Sequence, residues 1–302
     1  MENVRLRLDL GYDGSAFAGW ARQPGLRTVQ DELESALGTV VRGRDVLPGR
    51  PTLTVAGRTD SGVHAAHQVA HVDLSPAQWI TLERLRRSGH ARAFSPEAVL
   101  ARRLNGIAGR AGDIVVRSIV RAPDGFHARY SAVWRRYEYR IADEASERDP
   151  RRRNHTLWHA GVLDVPTMDA ASRALTGLHD FAAFCRPRVG STTIRTLLDY
   201  SWRRNDEGVI IGHVRADAFC HSMVRSLVGA AIKVGLGQID AHRVQDVRAA
   251  AERSNDVPVV AAKGLTLAEV AYPPDSGLAA RAQQTRARRE LTPNTGRASS
   301  AN

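Results

Sequence analysis

The chain has 302 residues, a length that fits two ordinary domains or one large one. Its 43% hydrophobic and 25% charged residues lie close to the averages for globular proteins, which excludes a wholly disordered chain. No run of about 18 apolar residues occurs, and the first residues alternate instead of forming a signal-peptide core, so we expect no membrane span and a cytoplasmic location. Cys185 and Cys220 are the only cysteines, which predicts no disulfide framework and no cysteine-rich zinc site.

The charge balance favours a nucleic-acid partner. Lysine and arginine together number 43 against 32 carboxylates, a net charge of +11, and the isoelectric point is about 10.6. Only Lys233 and Lys263 are lysines, so a coding bias towards arginine contributes to the count but does not by itself create the excess. Residues 273–302 hold five arginines against two carboxylates, a net +3, which leaves +8 for the rest of the chain.

In chain order, the first predicted element is a half-buried strand, because apolar and polar residues alternate from Val4 to Leu10. A turn-forming cluster follows at 12–15, and Thr28 is the predicted N-cap of a helix with apolar residues at helical spacing. The other elements predicted in the first half are strands at 52–55 and 68–73 and helices that begin after Ser75 and Ser95, each of which precedes a proline.

The second half continues without the regular strand–helix rhythm of a doubly wound fold. The elements predicted there are strands at 114–120, 134–141, 192–202, 209–214 and 265–272, and helices at 165–177 and 223–234. We interpret the order as an α+β architecture of two similar halves, an N-terminal domain at 1–108 and a C-terminal domain at 109–272. Residues 273–302 are almost free of apolar side chains, which predicts a disordered basic tail.

Neither a metal site nor a nucleotide-cofactor motif is predicted. His64, His67 and His71 are close in sequence, but four strand steps of about 3.3 Å would separate His67 from His71 by about 13 Å. Ligands of one zinc ion each lie about 2 Å from the metal. A P-loop is absent from the sequence, and the glycines at 235–237 lack the third glycine and the preceding strand of a dinucleotide fingerprint.

The loop at 56–65 carries the strongest chemical signal. Two glycines flank Arg58-Thr59-Asp60 between two predicted strands, so the backbone can turn sharply and present Asp60 outward, with Arg58 near enough to neutralise it. An ionised carboxylate beside a guanidinium suits nucleophilic attack better than proton donation. The alternative is an ordinary strand–turn–strand connection in which Asp60 caps the turn and pairs with Arg58, and the loop residues alone leave both interpretations open.

The loop sequence AGRTDSGVHA resembles the catalytic loop of the tRNA pseudouridine synthase A family. Further blocks match the family in the same order, from residue 6 to about residue 272: YDG at 12–14, GW at 19–20, VQ at 29–30, FHAR at 126–129, RRYEY at 135–139, DF at 180–181 and FCHSMVR at 219–225. One such block would be only suggestive, whereas the ordered set is specific.

The resemblance implies roles for four residues. Asp60 would be the nucleophile that attacks the target uridine, either at the ribose or at the pyrimidine ring. Arg58 would pair with Asp60 and occupy the space left by the flipped base. Tyr137 would pack against the uracil ring, and Arg225 would support the Asp60 carboxylate.

The resemblance also implies a mainly antiparallel, continuous sheet shared by the two halves, with a central active-site cleft. It implies a homodimer that acts without metal or cofactor on the 3′ side of the tRNA anticodon stem-loop. Two other functions remain open: a non-catalytic tRNA-binding or RNA-chaperone protein, and a nucleoside hydrolase that uses Asp60 as its nucleophile. The intact Arg58, Asp60 and Tyr137 argue against the binder, and the lack of a second carboxylate near Asp60 in sequence argues against the hydrolase.

Overall fold

A computed structural model describes residues 2–43, 50–87, 93–186, 192–254 and 256–286, and these form ten strands and seven α-helices with several short 3-10 turns. The strands are β1 (Val4–Tyr12), β2 (Thr54–Val55), β3 (His64–Leu74), β4 (Ile114–Arg121), β5 (Trp134–Ala142), β6 (Leu157–Trp158), β7 (Gly177–Asp180), β8 (Ile194–Arg204), β9 (Ile210–Ala216) and β10 (Leu265–Ala271). The helices are α1 (Val29–Val40), α2 (Pro76–Arg86), α3 (Pro96–Ile107), α4 (Val165–Arg173), α5 (Met223–Gly235), α6 (Ala241–Ala250) and α7 (Leu278–Arg286).

All ten strands belong to one sheet, in the order β4-β1-β3-β10-β5-β9-β8-β7, with β2 on β3 and β6 on β5. The pairs β10–β3 and β5–β6 are parallel and the other pairs are antiparallel, so the predicted α+β fold with a mixed, mainly antiparallel sheet is confirmed. The last strand, β10, lies between strands of the first and second halves of the chain. It makes the sheet continuous across both, and the domain division at residue 108 stays a prediction.

Local sequence signals account for the elements around the site. Leu6, Leu8 and Leu10 are fully buried on one face of β1, which confirms the predicted alternation. Thr28 caps α1 as predicted, because its side chain accepts the Asp31 N–H. The side chains of the residues that precede the prolines of α2 and α3 also accept N-terminal N–H groups, as the sequence predicted.

The helices pack on the sheet around one contiguous apolar core that includes both halves. In the first half α3 contacts β4 and α1 contacts α3, and in the second half α4 contacts β8 and α5. Most residues of α5 are buried, and a side chain at Gly229 would overlap the carbonyl oxygen of Pro258. This close approach fixes α5, whose first turn carries Arg225.

The expectation of disorder from residue 273 onward is wrong for 278–286, which form α7. Leu278 and Ala282 are one turn apart and both buried, and the Leu278 carbonyl accepts a hydrogen bond from the Ser131 hydroxyl at 3.1 Å. The prediction used the low apolar content of the whole tail. Two apolar residues on the same helix face are enough to bury one side of α7, and an average over the tail does not reveal them. The remaining tail, residues 287–302, lies outside the described residues.

The two cysteines are joined in the structure, a pairing that the sequence did not predict. Cys185 and Cys220 form a disulfide with their Cα atoms 5.7 Å apart, a separation within the usual range for such bonds. The bond links the segment after β7 to the segment that precedes α5. No helix of the described ranges has the length and apolar character needed to cross a membrane.

Candidate active site

The catalytic-loop candidate, residues 56–63, connects β2 to β3 and is held at both ends by hydrogen bonds. The Ala56 N–H donates to the Val69 carbonyl at 2.8 Å, and the Gln68 amide donates to the Gly57 carbonyl at 2.9 Å. At the tip, the Val63 N–H donates to the Asp60 carbonyl at 3.1 Å, and Gly62 takes a left-handed φ of 77° that closes the turn. The loop is therefore a fixed turn.

Thr59 anchors the centre of the loop to the core. Its hydroxyl lies 2.8 Å from the Tyr12 hydroxyl, and its carbonyl accepts the Trp20 N–H at 3.0 Å. Burial raises the pKa of Tyr12 to about 12, so this phenol stays protonated at neutral pH. With Thr59 held inward, its neighbours Arg58 and Asp60 are left exposed and partly exposed respectively.

Two basic side chains of the segment 221–225, those of Arg225 and His221, face the Asp60 carboxylate. Arg225 Nη1 lies 3.8 Å from Oδ2, and His221 Nε2 lies 3.6 Å from Oδ1. Arg225 is itself fixed, because its Nε donates to the Val260 carbonyl at 2.7 Å. Both separations exceed a normal hydrogen-bond length, so the carboxylate has a guanidinium and an imidazole nearby while its oxygens remain free to attack.

The predicted ion pair between Arg58 and Asp60 is not formed. Within the described ranges, the basic side chains within 4.0 Å of the Asp60 carboxylate are those of Arg225 and His221. Arg58 is near Asp60 in sequence, but its side chain is exposed and forms no ion pair with the carboxylate. Instead, the Asp60 carboxylate faces the segment 221–225. The role of supporting the carboxylate therefore falls on the first turn of α5.

Tyr137 lies on β5, and the structure brings it close to Asp60. The side chain is only 7% exposed, and its ring meets the Phe219 ring at 90° with centroids 5.1 Å apart. The pKa of the Tyr137 phenol is raised by burial first, and then by the nearby negative charges of Tyr12 and Asp60 in their ionised forms. Tyr137 is thus a neutral aromatic wall of the site.

The histidines that suggested a metal site have separate partners. His67 contacts the Asp9 carboxylate at 2.9 Å, and His71 accepts the Ala128 N–H at 3.1 Å. No group of three or more side chains able to hold a metal ion occurs in the ranges that the structure describes.

Comparison with known proteins supplies the family. A family model described as tRNA pseudouridine synthase matches residues 171–273. A protein named tRNA pseudouridine synthase A from Leifsonia xyli is 52% identical over 289 residues, which cover 95% of this chain and 98% of that protein. The chain belongs to the tRNA pseudouridine synthase A family.

Two further relatives of the same name support this family assignment. The protein from Streptomyces avermitilis is 51% identical, and the aligned region covers 95% of this chain and 95% of that protein. The protein from Frankia casuarinae is 53% identical, and the aligned region covers 94% of this chain and 95% of that protein. The resemblance predicted from the motifs is confirmed, and these relatives extend it over the first half, where Asp60 and Tyr137 lie.

Sequence reasoning missed two residues that build the site. His221, which contacts Asp60, was noted only as part of a matching block. Arg135 was noted in the same way, yet its buried guanidinium donates to the carbonyls of Ala56, Arg129 and Asp217 at 2.7 to 2.8 Å. The family blocks were the only available signal, because these contacts join residues between 6 and 161 positions apart along the chain.

Proposed function

We propose that this protein isomerises uridine to pseudouridine in tRNA, within the anticodon stem-loop. In this reaction the bond from N1 of uracil to the ribose C1′ breaks, the base turns, and C5 bonds to C1′. The C5 proton is released and N1 gains a proton, so the reaction needs neither an oxidant nor a phosphate donor. The observation that carries the proposal is the Asp60 carboxylate, held on a fixed loop between Arg225 and His221 and beside Tyr137.

Each residue has a role that its position supports. Asp60 acts as the nucleophile that holds one fragment while the base turns. Arg225 orients the carboxylate, and Tyr137 packs against the uracil ring. Arg58 is exposed and has no ion pair in the described ranges, so its guanidinium is available to occupy the space that the flipped base leaves.

The net charge of +11 supports RNA as the partner, because cationic side chains neutralise phosphates and release counterions. The family resemblance supports a homodimer and a cytoplasmic location. Light scattering at working concentrations should give twice the chain mass of 33.0 kDa, and a monomer mass would refute the dimer.

Two observations argue against the other functions. A nucleoside hydrolase is disfavoured by the comparisons, because the relatives that cover nearly the whole chain are named tRNA pseudouridine synthase A. A protein that only binds RNA gains nothing from a partly exposed carboxylate that repels phosphate. The arrangement instead suits a nucleophile.

The test is tritium release from a tRNA transcript labelled at C5 of uridine. The wild-type protein should release tritium, because C5 loses its hydrogen when it bonds to the ribose. Asp60→Asn should reduce release to background while it binds tRNA as well as the wild type or slightly better, since the shape is kept and one negative charge is removed. Asp31→Asn is the matched control, because it makes the same change on the exposed surface of α1.

Three results would contradict the proposal. Wild-type protein that binds tRNA without tritium release is a binder. Free uracil that keeps its C5 tritium, together with an abasic tRNA, indicates a hydrolase. Asp60→Asn protein that releases tritium at a substantial fraction of the wild-type rate refutes the nucleophile role.

A further inference from the structure

A pocket lies beside the loop 56–63, on the side of Gly62. Its volume is about 510 Å³, within the range of pockets that hold small organic ligands. It is lined by Ser15, Gly62, Arg153, Asn154, Trp158 and Lys263. Four separate segments of the chain contribute these residues, so the pocket is a product of tertiary folding.

The chemistry of the lining suits a nucleotide. Arg153 and Lys263 are exposed, and in the described ranges neither has a carboxylate within 4.0 Å. Trp158 is 40% exposed, and the guanidinium of Arg148 lies 5.8 Å from its ring centroid. Cations bind phosphate, and an exposed indole stacks on a base of any identity.

Asp13, a carboxylate beside the pocket, already has hydrogen-bond partners. Asp13 accepts the Ser15 N–H at 2.9 Å, and its other oxygen lies 3.4 Å from the Asn154 amide. Asp13 therefore orders the pocket wall, while Arg153 and Lys263 keep their charge for a ligand.

The pocket is coupled rigidly to the catalytic loop. Buried His64 accepts the Gly14 N–H on Nδ1 at 3.0 Å, which leaves Nε2 to donate to the Lys263 carbonyl at 3.1 Å. Gly62 is also separated from Asp60 by only two peptide units, which span at most about 7 Å. A ligand in the pocket is thus held at a fixed, short distance from the Asp60 backbone.

We propose that this pocket binds a nucleotide adjacent to the target uridine in the same RNA strand. Its base stacks on Trp158, and its phosphate lies between Arg153 and Lys263. The proposal rests on the proposed function in that the strand belongs to the RNA substrate. The pocket would fix the register of the strand, and so which uridine is presented to Asp60.

The first test measures binding of a synthetic anticodon-arm stem-loop RNA by each folded variant. Trp158→Ala should raise Kd by about 5- to 150-fold, the usual cost of losing one stacked base, and Trp158→Phe should restore most of the affinity. Lys263→Gln should reduce the slope of log Kd against log salt by about 0.7 to 0.9, since one phosphate contact is lost. Arg173→Gln, which removes one exposed charge from α4, is the control. The change in Kd caused by Trp158→Ala should be the same with and without this substitution.

The second test identifies the base. An abasic residue placed 5′ or 3′ of the target uridine should weaken binding to the wild type at one of the two positions. At that position it should cause no additional loss of affinity in Trp158→Ala. Additive losses at both positions, or equal affinities of Trp158→Ala and the wild type, would overturn the proposal.

These binding assays need no turnover, so they separate the two proposals. Failure of wild-type tritium release refutes the proposed function and leaves the binding result readable. Full tritium release with unchanged binding by Trp158→Ala and Lys263→Gln refutes the pocket alone.

Discussion

Replacing Arg135 with methionine should disconnect three segments of the active site while the apolar stem of the side chain is kept. Nη1 donates to the Asp217 carbonyl at 2.7 Å, and Nη2 donates to the carbonyls of Ala56 and Arg129 at 2.8 Å each. Ala56 opens the catalytic loop, and Asp217 precedes the segment that supplies His221 and Arg225. One guanidinium therefore sets how Asp60 faces His221 and Arg225.

The size of the effect follows from the groups left behind. Three carbonyls lose a donor in Arg135→Met, and a buried unsatisfied polar group costs about 1–3 kcal/mol, which gives about 3–9 kcal/mol. The loss is offset by several kcal/mol, because the variant no longer buries a charge; desolvation lowers the pKa of the Arg135 guanidinium for the same reason. We expect a net loss of about 3 kcal/mol in the free energy of unfolding.

The effect on catalysis should be larger than the effect on RNA binding. A displacement of about 1 Å between reacting groups costs about 100-fold in rate. Single-turnover tritium release by folded Arg135→Met should therefore slow by about 100-fold, with Kd for stem-loop RNA within about twofold of the wild type. Urea unfolding measures the stability change on the same samples.

Arg136→Met is the matched control, because this neighbour on β5 pairs with Glu138 and Glu269 in partly exposed positions. Loss of such pairs costs at most about 1 kcal/mol and should leave the rate unchanged. A wild-type rate in folded Arg135→Met, or an equal loss of rate in Arg136→Met, would refute the positioning role.

Two other predictions concern the loop and its neighbouring strand. Gly14→Ala would place a Cβ against the Val63 carbonyl, so the catalytic loop must shift; we expect at least a tenfold loss of tritium release, and an unchanged rate would show that the loop accommodates the methyl group. Burial lowers the pKa of His71 from 6.5 to about 4. Between these two pH values the unfolded chain therefore binds more protons than the folded chain. The free energy of unfolding should decrease by up to about 3 kcal/mol as pH falls from 6.5 towards 4. Urea unfolding of His71→Asn across this range should lack that part of the decrease, and parallel pH curves for wild type and variant would contradict it.

Elements with a strong local pattern could be predicted from the sequence, and weakly patterned elements could not. The alternation in β1 and the cap at Thr28 depend on neighbouring residues, and the structure has both where the sequence placed them. The short β6 and β7 were not predicted. α7 was missed because only Leu278 and Ala282 bury it.

The sequence by itself determined the family and the candidate nucleophile, since the order of the motifs around Asp60 is readable without any contact. The resemblance already implied that Arg225 supports this carboxylate, and only the tertiary structure decided that His221 also lies beside it and that Arg58 does not pair with it. The physical reason is that the two kinds of interaction act over different distances along the chain. Periodicity and caps act over a few residues, whereas the Asp60–Arg225 contact requires β10 to insert between β3 and β5 and α5 to pack beneath Pro258. Contacts throughout the packed chain stabilise that arrangement, so it cannot be read from any single segment of the sequence.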